Sequence, residues 1–472
     1  CLVEVEKAPK AMPACATPVM EGMKISTKSE KTMKAQKAVM EFLLINHPLD
    51  CPICDQGGQC ELQDLAMGYG ADVSTFRERK NTVVDENLGP FIATDMTRCI
   101  HCTRCVRFGE EIAGMRELGV EGRGEQVRIG TYVKKMIKSE MSGNVIDLCP
   151  VGALTSKPFR YKARAWELKQ APGVAMHDCV GSNIYFNQLR GDILRVNPRE
   201  NEAINEVWIS DRDRFSYSAL QSDHRALLPM VKKKGEWQTV SWEKAFEETC
   251  YKLQKALGKE GDQLGALVSP NASIEEMYLL QKLCRGVGTN HIDHRLRQTD
   301  FDDQDAMPLS PGLSGSVADI GDQQTIFLVG SDLRQAQPIL AWKCRKAQLA
   351  GARLFAINPY RVDYNFTLER NCTINLNAMP KVLGKLLKAA LKVSGKTHAL
   401  SSQVEKLDDC SQAANLASAL IDAEKAAIIV GTMAMHHPNA SEIRALCHAI
   451  ADVTGASVNA LTDGANARGA WL

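Results

Sequence analysis

The stretch HPLDCPICDQGGQC at residues 47–60 brings four metal-ligand side chains close together in sequence, namely His47, Cys51, Cys54 and Cys60. Residues 31–46 before it carry apolar side chains at helical spacing, which predicts a helix. The helix should end at this loop because Pro48 disfavours helical backbone in the residue before it. Three cysteines with one histidine are also a standard zinc set, so the spacing alone leaves zinc and an iron–sulfur cluster open.

A second ligand group follows, in which each cysteine is two residues from the next and a distant cysteine precedes a proline. Its members are Cys99, Cys102, Cys105 and Cys149. The triplet can wrap one face of a cubane, and the Cys-Pro pair is shared with bacterial ferredoxins. Four-cysteine zinc sites usually come as two C-x2-4-C pairs, so this spacing favours one [4Fe–4S] cluster.

Charged residues crowd the second group. Arg98, Arg104 and Arg107 are either ordinary surface charge or electrostatic support for a cluster whose thiolates make it anionic. His101 lies between two of the cysteines and is expected to pack against the cluster without ligating it.

The other cysteines carry weaker signals. Cys1 and Cys15 resemble half of a further site, whereas six cysteines beyond residue 223 share no ligand spacing and are expected to be small buried hydrophobic residues. Nine of the 16 cysteines fall within the first 150 residues. Such clustering in a long chain indicates metal-bound thiolates in a reducing compartment rather than disulfides.

Length, net charge and hydropathy limit the classes of protein to which the chain can belong. A length of 472 residues predicts about two to four domains. The net charge of +1 gives no general reason to expect a nucleic acid or an anionic membrane as partner. No apolar run approaches the ~18 residues that span a bilayer.

The second half of the chain has an α/β pattern. Residues 324–332, 342–349 and 351–359 predict a strand, a helix and a strand, which together form a βαβ unit with parallel strands. Residues 426–431, followed by a helix over about 441–453, repeat the pattern. Ligands of such sheets bind at the carboxyl ends of the strands, but the single Gly-Ser after Val329 is a weak nucleotide signal.

Three longer motifs are more specific than the spacing of the ligands. They are QGGQCELQD at 56–64, TRCIHCTRCVRFGEE at 97–111 and CPVGAL at 149–154. With their flanking segments they resemble the large iron–sulfur subunit of bacterial respiratory complex I, over essentially the whole chain. The resemblance implies one [4Fe–4S] cluster on the set with His47 and a second on the set with Cys149.

The same resemblance implies a [2Fe–2S] cluster in the full-length protein, on the spacing C-x10-C-x2-C-x13-C. Cys1 and Cys15 match its last two positions, so the chain is expected to be a fragment. Some family members hold a further cluster on C-x2-C-x3-C-x27-C. Here Cys179 stands alone, with Ser210 near the last position, and that cluster is expected to be absent.

The resemblance also implies the domain order and the fold class. We expect a multidomain α/β and α+β protein in which small iron–sulfur domains precede a molybdopterin-oxidoreductase-like α/β domain with a parallel sheet. The expected boundaries are 1–21 for the [2Fe–2S] remnant, 22–62 and 63–165 for the two [4Fe–4S] domains, 166–222 for a small β-rich domain, and 223–472 for the α/β domain without molybdopterin.

As a member of that family the chain would relay electrons from an NADH-oxidising FMN subunit toward quinone, in a complex that also translocates protons. Its partners would be other complex I subunits, on the cytoplasmic side of the bacterial inner membrane, and none of its side chains would be catalytic. The alternatives are a molybdopterin enzyme resembling a formate dehydrogenase α subunit, an iron-only hydrogenase, and a zinc-stapled scaffold.

Overall fold

The structure is a computed structural model that describes residues 2–132, 135–257, 263–306 and 311–472. The chain divides into two compact units. The first comprises Cys1–Ala171 and Phe186–Asn197, and the second comprises Pro172–Tyr185 and Pro198–Leu472. Within the described ranges, every helix is too short or too polar to cross a membrane.

The first unit begins with a small antiparallel sheet, in which Leu2–Val5 lies between Met12–Pro13 and Ile25–Ser26. The helix predicted over 31–46 is confirmed as Glu30–Leu44. The Ser29 side chain caps it by accepting a hydrogen bond from the Thr32 amide at 3.2 Å. This helix ends directly before the loop that contains His47.

The rest of the first unit consists of short elements around the two cysteine groups. Its antiparallel strand pairs are Ile92–Thr94 with Leu154–Ser156 and Leu118–Glu121 with Arg128–Thr131. Its α-helices are Glu61–Tyr69, Arg104–Arg107 and Asn144–Leu148, with a π-helical turn at Phe108–Ile112 and 3-10 turns at Met96–Arg98, Gly124–Gln126 and Ala165–Glu167. Each of three further strands has residues assigned to both units, namely Lys169–Val174, Asn183–Leu189 and Asp192–Pro198.

A five-stranded parallel sheet forms the centre of the second unit. Its spatial order is Arg370–Thr373, Arg353–Asn358, Thr325–Val329, Ala426–Val430 and Ser457–Ala460. Every residue of the strands Thr325–Val329 and Ala426–Val430 is buried, as expected for a sheet covered on both faces. The predicted βαβ unit and the predicted fold class are confirmed.

Helices cover this sheet. Pro338–Leu349 connects two parallel strands, and Met379–Ser394 packs against both Ser411–Asp422 and Ala440–Thr454. The side chains of these three packed helices form one apolar core with those of the sheet. The remaining α-helices of the second unit are Asp211–Phe215, Trp242–Leu257, Ile274–Gly286, Leu333–Ala336, Ser401–Val404, Thr432–Met435 and Ala467–Trp471. Its 3-10 turns are Ser216–Gln221, Ala318–Asp322 and Leu376–Ala378, and its minor strands are Met230–Lys233, Glu236–Thr239, Ala266–Leu267 and Ile292–Asp293.

The prediction that the six C-terminal cysteines are buried is only partly correct. Cys284, Cys344 and Cys447 are buried, and two others are half-buried. For Cys250 the prediction is wrong, because it is exposed on the helix Trp242–Leu257, which has no buried residues.

Candidate iron–sulfur sites

Strand pairing places the distant cysteine of the second group beside the triplet. Ile92–Thr94 runs antiparallel to Leu154–Ser156, and the Asp95 amide donates to the Ala153 carbonyl at 2.9 Å. The triplet begins just after the first of these strands, and Cys149 lies just before the second. The sheet therefore closes the long loop between the third and fourth cysteines.

The backbone of the triplet is unusual. His101 and Thr103, the residues on either side of Cys102, have φ angles of 52° and 59° in the left-handed region. Non-glycine residues adopt this region at a cost of roughly 1 kcal/mol or more, and such strain concentrates at functional sites. Thr103 is also the N-cap residue of the helix Arg104–Arg107, which carries Cys105.

The four thiols of the second group interact with one another. The pKa of Cys105 is raised to about 12, mainly by burial, with smaller contributions to the same shift from charges on Cys149, Cys99 and Cys102. Burial likewise raises the pKa of Cys99 to about 11, with Cys149 and Cys102 adding to it. Cys149 also has a raised pKa because of burial. Iron binds thiolates, so the positively charged iron–sulfide core of a cluster would stabilise the thiolate form that burial disfavours.

Backbone amides surround these sulfurs. Hydrogen bonds with the backbone of Val151, Leu154 and Ala153 oppose the effect of burial on Cys149, and the His101 amide donates to the Cys99 sulfur at 3.4 Å. Hydrogen bonds to the sulfurs are one of the ways in which proteins tune iron–sulfur clusters. The exposed His101 thus contributes its backbone to this site.

In the first group, Cys51 is exposed and Cys54 and Cys60 are buried. Cys60 occupies the N-cap position of the helix Glu61–Tyr69. Burial raises its pKa, and interactions with the backbone of Gln63 and Leu62 partly offset this. Gly58, with a φ of 87°, supplies the left-handed turn that returns the chain to Cys60.

The environment of the His47 side chain suits a metal ligand. Burial lowers the pKa of its imidazole, the charge of Arg98 lowers it further, and a hydrogen bond with the Arg98 backbone opposes both. Its Nδ1 atom is buried and lacks a hydrogen-bond partner in the part of the chain that the structure describes. A buried ring nitrogen without a partner suits a neutral imidazole that binds a metal.

The two groups touch each other. The Cys60 sulfur lies 3.6 Å from the Pro150 carbonyl oxygen, and the Gln56 side chain donates to the Cys149 carbonyl at 3.4 Å. Gly152 lies so close to the Cys54 sulfur that a Cβ atom would overlap it. The segment that follows the last cysteine of the second group is therefore packed against the first group.

The three arginines of the second group have different environments. Arg107 is exposed and pairs with Glu111, as expected for an ordinary surface charge. Arg104 forms a two-point contact with Glu61 at 2.7 and 2.9 Å. Arg98 is buried, with 4% of its side chain exposed, and spacing alone did not distinguish it from the other two.

The other predicted positions are Cys1, Cys15, Cys179 and Ser210. Cys1 lies outside the described residues, and Cys15 is exposed. Burial raises the pKa of Cys179 to about 12, and the Ser210 hydroxyl accepts from the Asp213 amide as a helix cap. Across the described ranges, no three His, Cys, Asp or Glu side chains are placed to hold one metal ion. In a cubane, by contrast, the ligands bind different irons.

A cavity of about 430 Å³ lies at the carboxyl ends of the parallel strands in the second unit, with Thr432 and Thr462 in its wall. This is where α/β sheets bind ligands. Its arginines each face a carboxylate: Arg212 lies 3.2 Å from Asp178, and Arg297 lies 3.9 Å from Asp463. A carboxylate therefore lies beside each arginine of the described lining, which makes this cavity a poor match to the phosphates of a pterin nucleotide.

Family models match the chain almost from end to end. The model described as molybdopterin oxidoreductase matches residues 225–468, just over half of the chain. The chain belongs to the molybdopterin oxidoreductase family. Before that region, residues 1–30 match a 2Fe-2S iron-sulfur cluster binding domain, and 36–75 match the NADH-ubiquinone oxidoreductase-G iron-sulfur binding region. Residues 89–155 match the ferredoxin-like domain of NADH-quinone oxidoreductase subunit 3, and 168–218 match an NDSU1/NuoG-like 4Fe-4S domain.

Curated relatives confirm the resemblance to the large iron–sulfur subunit of complex I. The chain is 41% identical over 418 residues to the NADH-ubiquinone oxidoreductase 75 kDa subunit of Reclinomonas americana, covering 86% of this chain and 58% of that protein. It is 42% identical over 352 residues to the G subunit of the NADH-quinone oxidoreductase of Rickettsia felis, covering 75% and 52%. It is 41% identical over 404 residues to the mitochondrial 78 kDa subunit of Neurospora crassa, covering 83% and 53%. The chain thus spans a little over half the length of these relatives.

Proposed function

We propose that this chain relays electrons within complex I, from an NADH-oxidising FMN subunit toward quinone. The observation that carries the proposal is the contact between the two cysteine groups, through Cys60 with Pro150 and Cys54 with Gly152. Two clusters held in these groups would be joined through a few bonded and touching atoms. The identity to complex I subunits supports the same assignment.

Each group would hold one [4Fe–4S] cluster. The first cluster would bind His47, Cys51, Cys54 and Cys60, and the second would bind Cys99, Cys102, Cys105 and Cys149. Such clusters supply one-electron redox chemistry. The chain itself would bind, bury and orient them, with backbone amides at Cys99, Cys149 and Cys60 acting on the sulfurs.

The rest of the assignment follows from the same relatives. Cys1 and Cys15 would be two of four ligands to a [2Fe–2S] cluster in the full-length protein, and the domain boundaries would be those expected from the sequence. The α/β domain would be a scaffold without molybdopterin, which the paired arginines of its cavity support. The partners would be the other subunits of the peripheral arm, and in a bacterium the chain would lie at the cytoplasmic face of the inner membrane.

NADH should reduce the clusters of this chain only through the flavin subunit. In the assembled complex, rapid freeze-quench EPR after NADH addition should show [4Fe–4S] signals from this chain that form and are then reoxidised by quinone. The isolated chain mixed with NADH should show no reduction, because in the proposed relay another subunit binds the flavin that oxidises NADH. Clusters that stay oxidised in the assembled complex while quinone is reduced would contradict a role in the relay.

A further inference from the structure

Arg98 connects the segments that carry both cysteine groups. Its Nε and Nη2 donate to the Asp50 carboxylate at 3.1 and 3.0 Å, and its Nη1 donates to Asp95 at 3.0 Å and to the Gly152 carbonyl at 3.3 Å. Asp50 directly precedes Cys51 of the first group. The guanidinium therefore reaches from its own segment to the loops before Cys51 and after Cys149.

The charge balance around Arg98 is close to neutral. Its two carboxylate partners are Asp50 and Asp95, and Asp95 also accepts from Arg160 at 2.8 and 3.0 Å. Two arginines thus face two aspartates. Removal of the Arg98 charge alone would leave a net negative charge at the packed junction of the two groups.

The Arg98 side chain lies close to Cys54 of the first group. The Arg98 Nη1 and the Cys54 sulfur lie on the same side of Gly152. A Cβ atom built on Gly152 would lie 3.6 Å from the Arg98 Nη1 and would overlap the Cys54 sulfur. Burial lowers the pKa of Arg98, but Cys54 and the two aspartates raise it, and the net shift is upward. The arginine also acts on His47 through its charge and its backbone.

We propose that Arg98 is a positioning residue that sets the reduction potential of the histidine-ligated cluster, holding it higher than a neutral side chain would. The proposal rests on the proposed function, since it requires a [4Fe–4S] cluster on the first group. Reduction adds one electron, and so one negative charge, to a cluster in a buried environment. A fixed cation beside it stabilises that extra charge, and in a buried site the interaction is only weakly screened.

Redox titration of the full-length protein in its assembled complex tests this role. The clusters are reduced stepwise with dithionite, a low-potential chemical reductant, and each is followed by its EPR signal. Arg98→Gln should lower the midpoint potential of the histidine-ligated cluster more than that of the second cluster. Asp50→Asn should raise it, and the double variant Arg98→Gln/Asp50→Asn should fall between the two single variants. Arg98→Lys, which keeps the charge, should lie near the wild type.

Arg107→Gln is the matched control, because it removes an exposed arginine that lies nine positions further along the same segment. It should leave both potentials unchanged. The proposal is overturned if Arg98→Gln, with native iron and sulfide content, titrates like the wild type. Should Arg98→Gln lose iron, Asp50→Asn decides the matter, because an unshifted potential in that variant also overturns the proposal. A wild-type protein without a histidine-ligated cluster would instead refute the proposed function.

Discussion

A Gly152→Ala variant is expected to lose the cluster of the first group and to keep that of the second. The added methyl group would overlap the Cys54 sulfur and would also lie 3.3 Å from the Gln56 Cβ. Gly152 does not have a positive φ, so alanine fits its backbone and only the contact changes. Cys54 is buried, and its carbonyl accepts a hydrogen bond from Arg164 at 2.6 Å, which fixes its backbone. The sulfur would have to leave its ligand position.

Iron analysis and EPR measure this effect. Iron should fall from about eight to about four per chain, the content of one [4Fe–4S] cluster, with loss of the histidine-ligated signal. Gly68→Ala is the control, since a Cβ at Gly68 meets nothing within 4 Å in the helix Glu61–Tyr69. That variant should keep all its iron and gain up to about 1 kcal/mol of helix stability. Full iron content in Gly152→Ala would contradict the packing argument.

A Cys105→Ser variant should have the opposite selectivity, losing the second cluster and retaining the first. Cys105 is the thiol of its group whose pKa burial raises to about 12, with three neighbouring sulfurs adding to the shift. A serine hydroxyl ionises with more difficulty than a thiol and is a poorer ligand for iron. Iron should again fall to about four per chain, but with the signal of the first cluster intact.

Cys284→Ser provides the comparison for Cys105→Ser. Cys284 is a buried cysteine in the helix Ile274–Gly286, far in sequence from either group. Its replacement should lower the melting temperature without removing iron. Equal iron loss in both variants would show that cysteine substitution acts through folding, and the assignment of Cys105 as a ligand would fail.

Local patterns predicted the elements that local interactions form. The helix Glu30–Leu44 follows from apolar spacing, and the strands Thr325–Val329 and Ala426–Val430 follow from unbroken apolar runs. The edge strands were not predicted. Arg370–Thr373 is charged and largely exposed, and Ser457–Ala460 has only four residues, so their pairing in the sheet defines them rather than their own sequences.

In the candidate sites, too, the sequence predicted local features but did not predict contacts between distant segments. Spacing predicted both ligand groups, including His47 and Cys149, and the resemblance favoured a [4Fe–4S] cluster over zinc for the group with His47. The contacts between the groups were not predictable, because Arg98, Gly152 and Gln56 carry no spacing signal. Their roles depend on the antiparallel pairing of Ile92–Thr94 with Leu154–Ser156, which joins segments about 60 residues apart. Long-range pairing of this kind is weakly encoded in a single sequence.

The central claim is that two tetranuclear clusters lie side by side in the first unit. Anaerobic analysis of iron, acid-labile sulfide, zinc and molybdenum in the purified chain, followed by low-temperature EPR after reduction, tests it most directly. We predict about eight irons and eight sulfides per chain, two [4Fe–4S] signals and no molybdenum. Zinc without sulfide in anaerobically matured protein would contradict the claim, and stoichiometric molybdenum would assign the chain to a molybdopterin enzyme.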